Sequence, residues 1–448
     1  MKRYESYKDS NIPWIGNLPK RWQVKKIKHS CYVKGRIGWH GLNTNDYQDE
    51  GAYLVTGTNF ADGEVDWNSC HNISLEKYDE DPYIQLKSND LLITKDGTIG
   101  KVALVDNLKK EATLNSGIFL VRPLIENLDT AYLKYVIESS VFKRFFDYSS
   151  TGATIQHLYQ VTFNGFSFPL PEQEEQRAIV RYLDKKLEQI DTFIQNKRRL
   201  IALLEEQKSA LINRAVTKGL DEGVEMKDSG VEWVESFPSH WSVKRVKQVS
   251  RVISKGTTPS TEGGDLSFEG PITFLKAENI QTNDLRIKKE PIFKIDEKTN
   301  QLIKRSVLQH NDVLFVIAGA TLGKVGVVSR EIIPANTNQA VAFIRPGKYI
   351  KSSYLGYWLL SSRIKEITWL NAVQSAQPNL SMVDLGNFPF LHPPLQEQEK
   401  IVNYIEKEII EKNEAISNTD KEIQLINEYR TTLISEVVTG KIDVRTAA

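Results

Sequence analysis

A chain of 448 residues, 40% hydrophobic and 26% charged, has an ordinary globular composition and enough apolar side chains to fill cores in two to four domains. No run approaches the ~18 consecutive apolar residues of a membrane span, and the opening MKRYESYKDS lacks the apolar stretch of a secretory signal, so a cytoplasmic location is expected. The net charge of +1 argues against a uniformly basic nucleic-acid binder, and Cys31 and Cys70 have no second pair at metal-ligand spacing, which excludes a disulfide framework and a zinc site.

Charge is unevenly spread. Up to Arg36 the chain carries Lys2, Arg3, Lys8, Lys20, Arg21, Lys25, Lys26, Lys28, Lys34 and Arg36 against Glu5 and Asp9, so basic patches are compatible with neutrality. Short β-branched runs follow at Tyr53-Leu54-Val55 and Leu91-Leu92-Ile93-Thr94, punctuated by Gly, Asn and Asp, and predict strands joined by long loops. The stretch DGTIGKV, Asp96 to Val102, and its counterpart GATLGKV, Gly319 to Val325, resemble a phosphate-binding loop. They fail in detail: three residues separate Gly319 from Gly323 where four are needed, and Val325 replaces the magnesium-holding Ser or Thr. Both are read as tight turns between strands.

After Pro171 the pattern becomes helical, with Glu172, Glu174 and Glu175 at the positive end of the dipole. An apolar seam runs Leu183, Leu187, Ile190, Ile194, Lys197, Ile201, Leu204, Lys208, Leu211, Ala215, in alternating steps of four and three. After Pro394 a second seam runs Ile405, Ile409, Lys412, Ile416, Thr419, Ile423, Ile426, Arg430, Leu433, Val437. Each predicts a helix of about 45 residues, roughly 65 Å long. The polar breaks Lys197/Thr419 and Lys208/Arg430 are candidates for fixing register.

The chain is written twice. KDSNIPWIGNLPKRWQVKKIK, Lys8 to Lys28, returns as KDSGVEWVESFPSHWSVKRVK, Lys227 to Lys247. NDLLITKDGTIGKVALV from Asn89 parallels NDVLFVIAGATLGKVGVV from Asn311 with one residue inserted, and EQRAIVRYL from Glu175 parallels EQEKIVNYI from Glu397. The paired tyrosines Tyr182 and Tyr404 lie 222 residues apart. Only some ten residues separate the first helix from the second repeat, so each α/β region sits at an opposite end of the first helix and the second helix runs back along it. The expected fold is α+β: two homologous α/β domains in tandem, separated by two long helices in an antiparallel coiled coil, with a quasi-twofold circular arrangement. The expected boundaries are a first domain 1–170, a spacer helix 171–217, a linker 218–226 within a second domain 218–391, a second spacer helix 392–440 and a tail 441–448. Trp14, Trp22, Trp233 and Trp241 are expected to pack each repeat's opening against a helix end.

These features together, with the GRIGWHGL segment (Gly35 to Leu42) and the KGTTPS segment (Lys255 to Ser260), resemble the specificity subunit of type I restriction-modification systems along nearly the whole chain. The second half departs slightly: Val231-Glu232 replaces Ile12-Pro13, and Glu235 stands where Gly16 does. The resemblance implies two target-recognition domains that each read one part of a split double-stranded DNA site, and helices that hold two modification subunits and, through them, restriction subunits. It implies no cofactor on this chain; S-adenosylmethionine, ATP and Mg would serve the partner subunits. No methylase, hydrolase or metalloprotease signature appears, so no catalytic and no metal-binding residue is expected.

Base reading calls for Arg, Lys, Asn, Gln, Thr and similar side chains on loops. The first-half candidates are Arg36, Trp39, His40, Asn43, Thr58, Asn59, Lys95, Thr154, Gln156 and His157. Those of the second half are Lys255, Thr257, Thr258, Lys276, Asn279, Gln374, Gln377 and Asn379. The clusters Lys25, Lys26, Lys28 and Lys244, Arg245, Lys247 are candidate phosphate contacts. The rival reading is a non-catalytic coiled-coil scaffold that tethers two protein partners.

Overall fold

The computed structural model describes residues 2–36, 42–149, 157–231, 234–288, 290, 292–372 and 378–445, with the backbone alone at 229–231 and 234, and elements are counted among these. By internal contacts the chain divides into two compact units, Met1–Asn196 with Lys421–Ala448, and Lys197–Asp420.

The first unit carries β1 (Tyr7–Asp9), β2 (Asn17–Pro19), β3 (Gln23–Lys26), α1 (Ile27–Ser30), β4 (Cys31–Lys34), β5 (Ala52–Val55), β6 (Phe60–Ala61), β7 (Glu64–Val65), β8 (His71–Ile73), α2 (Leu75–Asp79), β9 (Leu91–Thr94), β10 (Val102–Leu104), β11 (Ala112–Leu114), β12 (Ile118–Pro123), α3 (Thr130–Glu138), α4 (Ser140–Ser149), α5 (Gln160–Asn164) and β13 (Ser167–Leu170). The long helix α6 (Gln173–Lys218) leaves from there. The second unit repeats the plan with β14 (Met226–Val231), β15 (Val234–Pro238), β16 (Ser242–Arg245), β17 (Ser250–Lys255), β18 (Ile272–Leu275), β19 (Phe293–Ile295), α7 (Glu297–Leu302), β20 (Val313–Val316), β21 (Val325–Val327), β22 (Ala335–Thr337), β23 (Val341–Pro346), α8 (Ser352–Leu360), α9 (Ser362–Ala372), α10 (Met382–Asn387) and β24 (Pro389–His392). Helix α11 (Leu395–Val438) follows.

Each unit contains a main sheet, ordered β4-β12-β9-β10-β7-β6 in the first and β17-β23-β20-β21 in the second. A smaller sheet, β11-β5-β8 or β19-β18-β22, lies beside it. Strands β9 and β20 are buried at every position because both of their faces are covered. Leu91, Ile93, Phe119 and Val121 join the core under α3, α4 and the long helices, whereas Leu92, Ile118 and Leu120 join the one shared with β5 and β11. Val313 and Phe315 against Leu314 and Val316 repeat the split.

The repeated motifs are explained by buried polar contacts. Asp90 and Asp312, each following a left-handed asparagine, Asn89 or Asn311, receive two-pronged hydrogen bonds from Arg122 and Arg345 of the Arg-Pro pairs. The glutamines of the EQ motifs are fully buried. Gln176 accepts from Asp129 N and donates to the carbonyls of Asn127 and Pro171; Gln398 accepts from Lys351 N and donates to those of Tyr349 and Pro393. Each long helix is thereby fixed to its own α/β layer.

Within each unit the two long helices run antiparallel. In the first, the Tyr132 hydroxyl lies 2.9 Å from Pro169 O, just before α6, and 3.4 Å from Val438 O at the end of α11. In the second, Tyr354 likewise reaches Leu391 O, before α11, and Val216 O near the end of α6. The expected register breaks Lys208 and Arg430 pair across the helices, Arg430 with Asp191 at 2.5 Å and Lys208 with Asn413 at 2.8 Å. Residues from the two ends of the chain also meet inside the first unit, where Asp443 N donates to Lys2 O at 2.9 Å. Trp22 is buried with Nε1 donating to Glu175, and Trp14 packs on Phe145; Trp241 is buried beside Gly219, and Trp233 lies outside the described residues.

Candidate nucleic-acid interface

In the first domain the C-terminal ends of β4, β5, β9 and β11 and the start of β12 converge on one edge. The convergence follows from pairing: β11 lies parallel to β5, while β9 and β4 run antiparallel to β12. Lys95 N donates to Gly117 O, Asn115 N to Val55 O, and Leu158 N to Lys95 O, which joins three loops through main-chain bonds. Thr58 is exposed, its hydroxyl 2.7 Å from that of Thr56. Lys95 lies over the Phe119 ring, and burial lowers its pKa against the opposing pull of Asp96. His157 bonds through Nδ1 to Asp96 Oδ1, and its ring meets Tyr159 edge-on. Asn43 is exposed and caps the short turn Thr44–Asp46.

The second domain builds the same edge. Ile317 N donates to Ala340 O, Asn338 N to Leu275 O, Leu380 N to Ile317 O and Thr257 N to Thr337 O. Lys255 and Asn379 are exposed, Thr258 is half-buried, and Lys276 holds its ammonium 3.5 Å from the centre of the Phe293 ring. The Lys-Gly pairs in both halves mark a close approach: a Cβ at Gly35 would stand 2.8 Å from Ile118 O, and one at Gly256 2.1 Å from Thr337 O. Gly97 and Gly100, like Gly319 and Gly323, have positive φ in hairpins joining β9 to β10 and β20 to β21, the geometry of strand turns.

Four candidates are held inside the fold and are withdrawn. Arg36 is 3% exposed; its Nε donates to Leu114 O, and burial lowers its pKa. Asn59 and Asn279 occupy matching turns, where each Oδ1 accepts the main-chain N–H three residues earlier, at Thr56 and Lys276. Thr257 is buried, with its hydroxyl accepting from Arg305. Their side chains meet the protein's own polar groups, which would otherwise lie buried and unpaired. Trp39, His40, Thr154, Gln156, Gln374 and Gln377 lie outside the described residues.

The lysine clusters are not at this edge. Lys25 and Lys26 sit on β3, paired with β13, and Lys28 on α1; they precede Cys31, which pairs with Pro123, whereas Lys34 near the edge pairs with Leu120. Lys244 and Arg245 on β16, paired with β24, and Lys247 beyond them stand in the corresponding place. Sequence reasoning passed over Asp96, Asn115, Asn338 and Arg305. The signal for Asn115 and Asn338 was their place in the repeat, 223 residues apart; Asn115 binds both main-chain groups of Leu42.

Among the described residues no cluster of three His, Cys, Asp or Glu side chains could hold a metal ion, and no helix is long and apolar enough to cross a membrane. Cys31 and Cys70 are free thiols whose pKa values burial pushes up to about 12, which makes them poor nucleophiles.

Two domains with one scaffold and separate sets of loop side chains define a duplicated recognition protein. The type I restriction modification DNA specificity domain matches residues 19–206 and again 238–425, so the chain belongs to that family, as a type I restriction-modification specificity subunit with two DNA recognition domains. It is 24% identical to the putative type I restriction enzyme MjaX specificity subunit of Methanocaldococcus jannaschii, over 98% of both chains. To the EcoKI specificity subunit of Escherichia coli K12 it is 20% identical, over 95% of this chain and 90% of that one. A chain from a solved structure on assembly and conformational transition of the type I R-M system has a TM-score of 0.69 at 18% identity, covering 95% of this chain and 99% of that one. The HsdS subunit of Thermoanaerobacter tengcongensis has a TM-score of 0.50 at 17% identity, covering 95% and 98%.

Proposed function

We propose that the chain reads a bipartite duplex DNA target without chemistry of its own. The first domain, 1–170, contacts one half of the site and the second, 218–391, the other, while the spacer helices 171–217 and 392–440 set their separation and dock two adenine-methylating subunits. Restriction subunits join through those partners. S-adenosylmethionine, ATP and Mg belong on the partners, and the complex works in the cytoplasm.

The observation that carries this reading is the strand-end edge built twice from the same main-chain bonds with different side chains on it. That is the form expected of a reader whose two halves meet different bases. Asn43, Thr58, Lys95 and His157 would serve the first half-site, and Lys255, Thr258, Lys276 and Asn379 the second. The clusters Lys25, Lys26, Lys28 and Lys244, Arg245, Lys247 would meet phosphate.

The test is a footprint of the full chain with its methylating partners on DNA carrying random sequence. A split protected site with two short defined halves and an indifferent spacer is expected. Binding that is salt-sensitive but indifferent to sequence overturns the proposal and favours the scaffold reading.

A further inference from the structure

The β9–β10 turn of the first domain and the β20–β21 turn of the second share one backbone. Thr94 N donates to Lys101 O and Val316 N to Lys324 O; Gly100 N donates to Thr94 O and Gly323 N to Val316 O. Each turn then receives a main-chain bond from the segment before the last short helix, Leu158 N to Lys95 O or Leu380 N to Ile317 O. On this common frame the side chains are exchanged. Lys95, Asp96 and His157 stand in the first domain where Ile317, Ala318 and Asn379 stand in the second.

Asp96 is the unexpected member of that set. Its side chain is 48% exposed on an edge that would face a polyanion, where a carboxylate is repelled by phosphate unless it meets a hydrogen-bond donor. His157 holds Oδ1. Among the described residues Oδ2 faces Gly117, where even an added Cβ would lie 4.0 Å from it. A fixed, acceptor-only oxygen suits a base that offers an amino group in the major groove, and cytosine N4 is the usual donor to a carboxylate there.

We propose that Asp96 discriminates one base of the first half-site by accepting a hydrogen bond from cytosine N4, with His157 as its positioning residue. The inference rests on the DNA-reading role proposed above. Ala318 has no acceptor side chain, so the second half-site lacks this contact.

The full chain with its methylating partners is selected on randomised duplexes and the bound sequences are read, for the wild type, Asp96→Ala and Asp96→Asn. Both variants should relax the preference for cytosine at one position of the first half-site by about tenfold and leave the second unchanged. His157→Ala should weaken the preference at that same position, and in the Asp96→Ala background it should add nothing. An unchanged first half-site in both Asp96 variants, or loss of preference in both halves, overturns the proposal. A wild type that selects no split site instead removes the DNA-reading role itself, which keeps the two failures apart.

Discussion

Gln176 and Gln398 show how a single side chain can fix an element. Each fills a fully buried gap at a helix start and satisfies one N–H and two carbonyls. Gln176→Ala leaves one N–H and two carbonyls without their partner, the buried Pro171 carbonyl among them, and is expected to cost roughly 2 kcal/mol in urea unfolding, with Gln398→Ala similar. Glu138 acts in the opposite sense. Burial raises its pKa above the ordinary 4.5, against the pull of Lys134 and Arg430. The folded chain therefore holds this proton more tightly than the unfolded chain, and stability is lost as pH rises from the unfolded value through the folded one. Glu138→Gln should raise the melting temperature at neutral pH, and the gain should vanish below pH 4.5 in thermal scans. Neither role was legible in the sequence. Asn59, Arg36 and Gln176 are all polar residues in or beside loops, and only the fold decides which of them turn inward.

At the scale of elements, the helices were legible because a long 3.5-residue repeat has few other solutions. Leu183, Leu187, Ile190 and Ile194 are buried as the seam requires, and the helices run 46 and 44 residues. The sheets were legible only as strands. Segments of three or four residues that are apolar on both faces carry no alternation to say which neighbours they pair with, so the order β4-β12-β9 had to come from the structure. Helix ends give a sharper prediction. Helix α6 stops at Gly219 and α11 at Gly440, with φ of +72° and +67°. Alanine at either suffers left-handed strain of about 1 kcal/mol. At Gly219 the new methyl meets the nearest atoms at 3.3 Å, but at Gly440 it would stand 2.4 Å from the Pro19 ring. Gly440→Ala should therefore cost about 2–3 kcal/mol against about 1 for Gly219→Ala, measured by denaturant unfolding.

For the molecule as a whole, the duplication was the strongest signal, because two matched sets of framework residues at a near-constant offset imply two matched folds. What the repeat could not supply is which loop side chains stay available once each edge has closed. The proposed modularity predicts the outcome of a domain exchange. Replacing residues 35–168 with the corresponding part of a relative should change one half of the methylated sequence and leave the other intact, as read by mapping modified adenines in vivo. A change in both halves would end that prediction. The way each edge is held then bears on how such proteins diversify. Its loops are joined largely by main-chain N–H and C=O groups, which every residue but proline supplies in full, so side chains such as those at 95, 96, 317 and 318 can drift with little penalty to folding. If these side chains read bases as proposed, a new molecular address is within reach of point substitution, with the scaffold that displays it left standing.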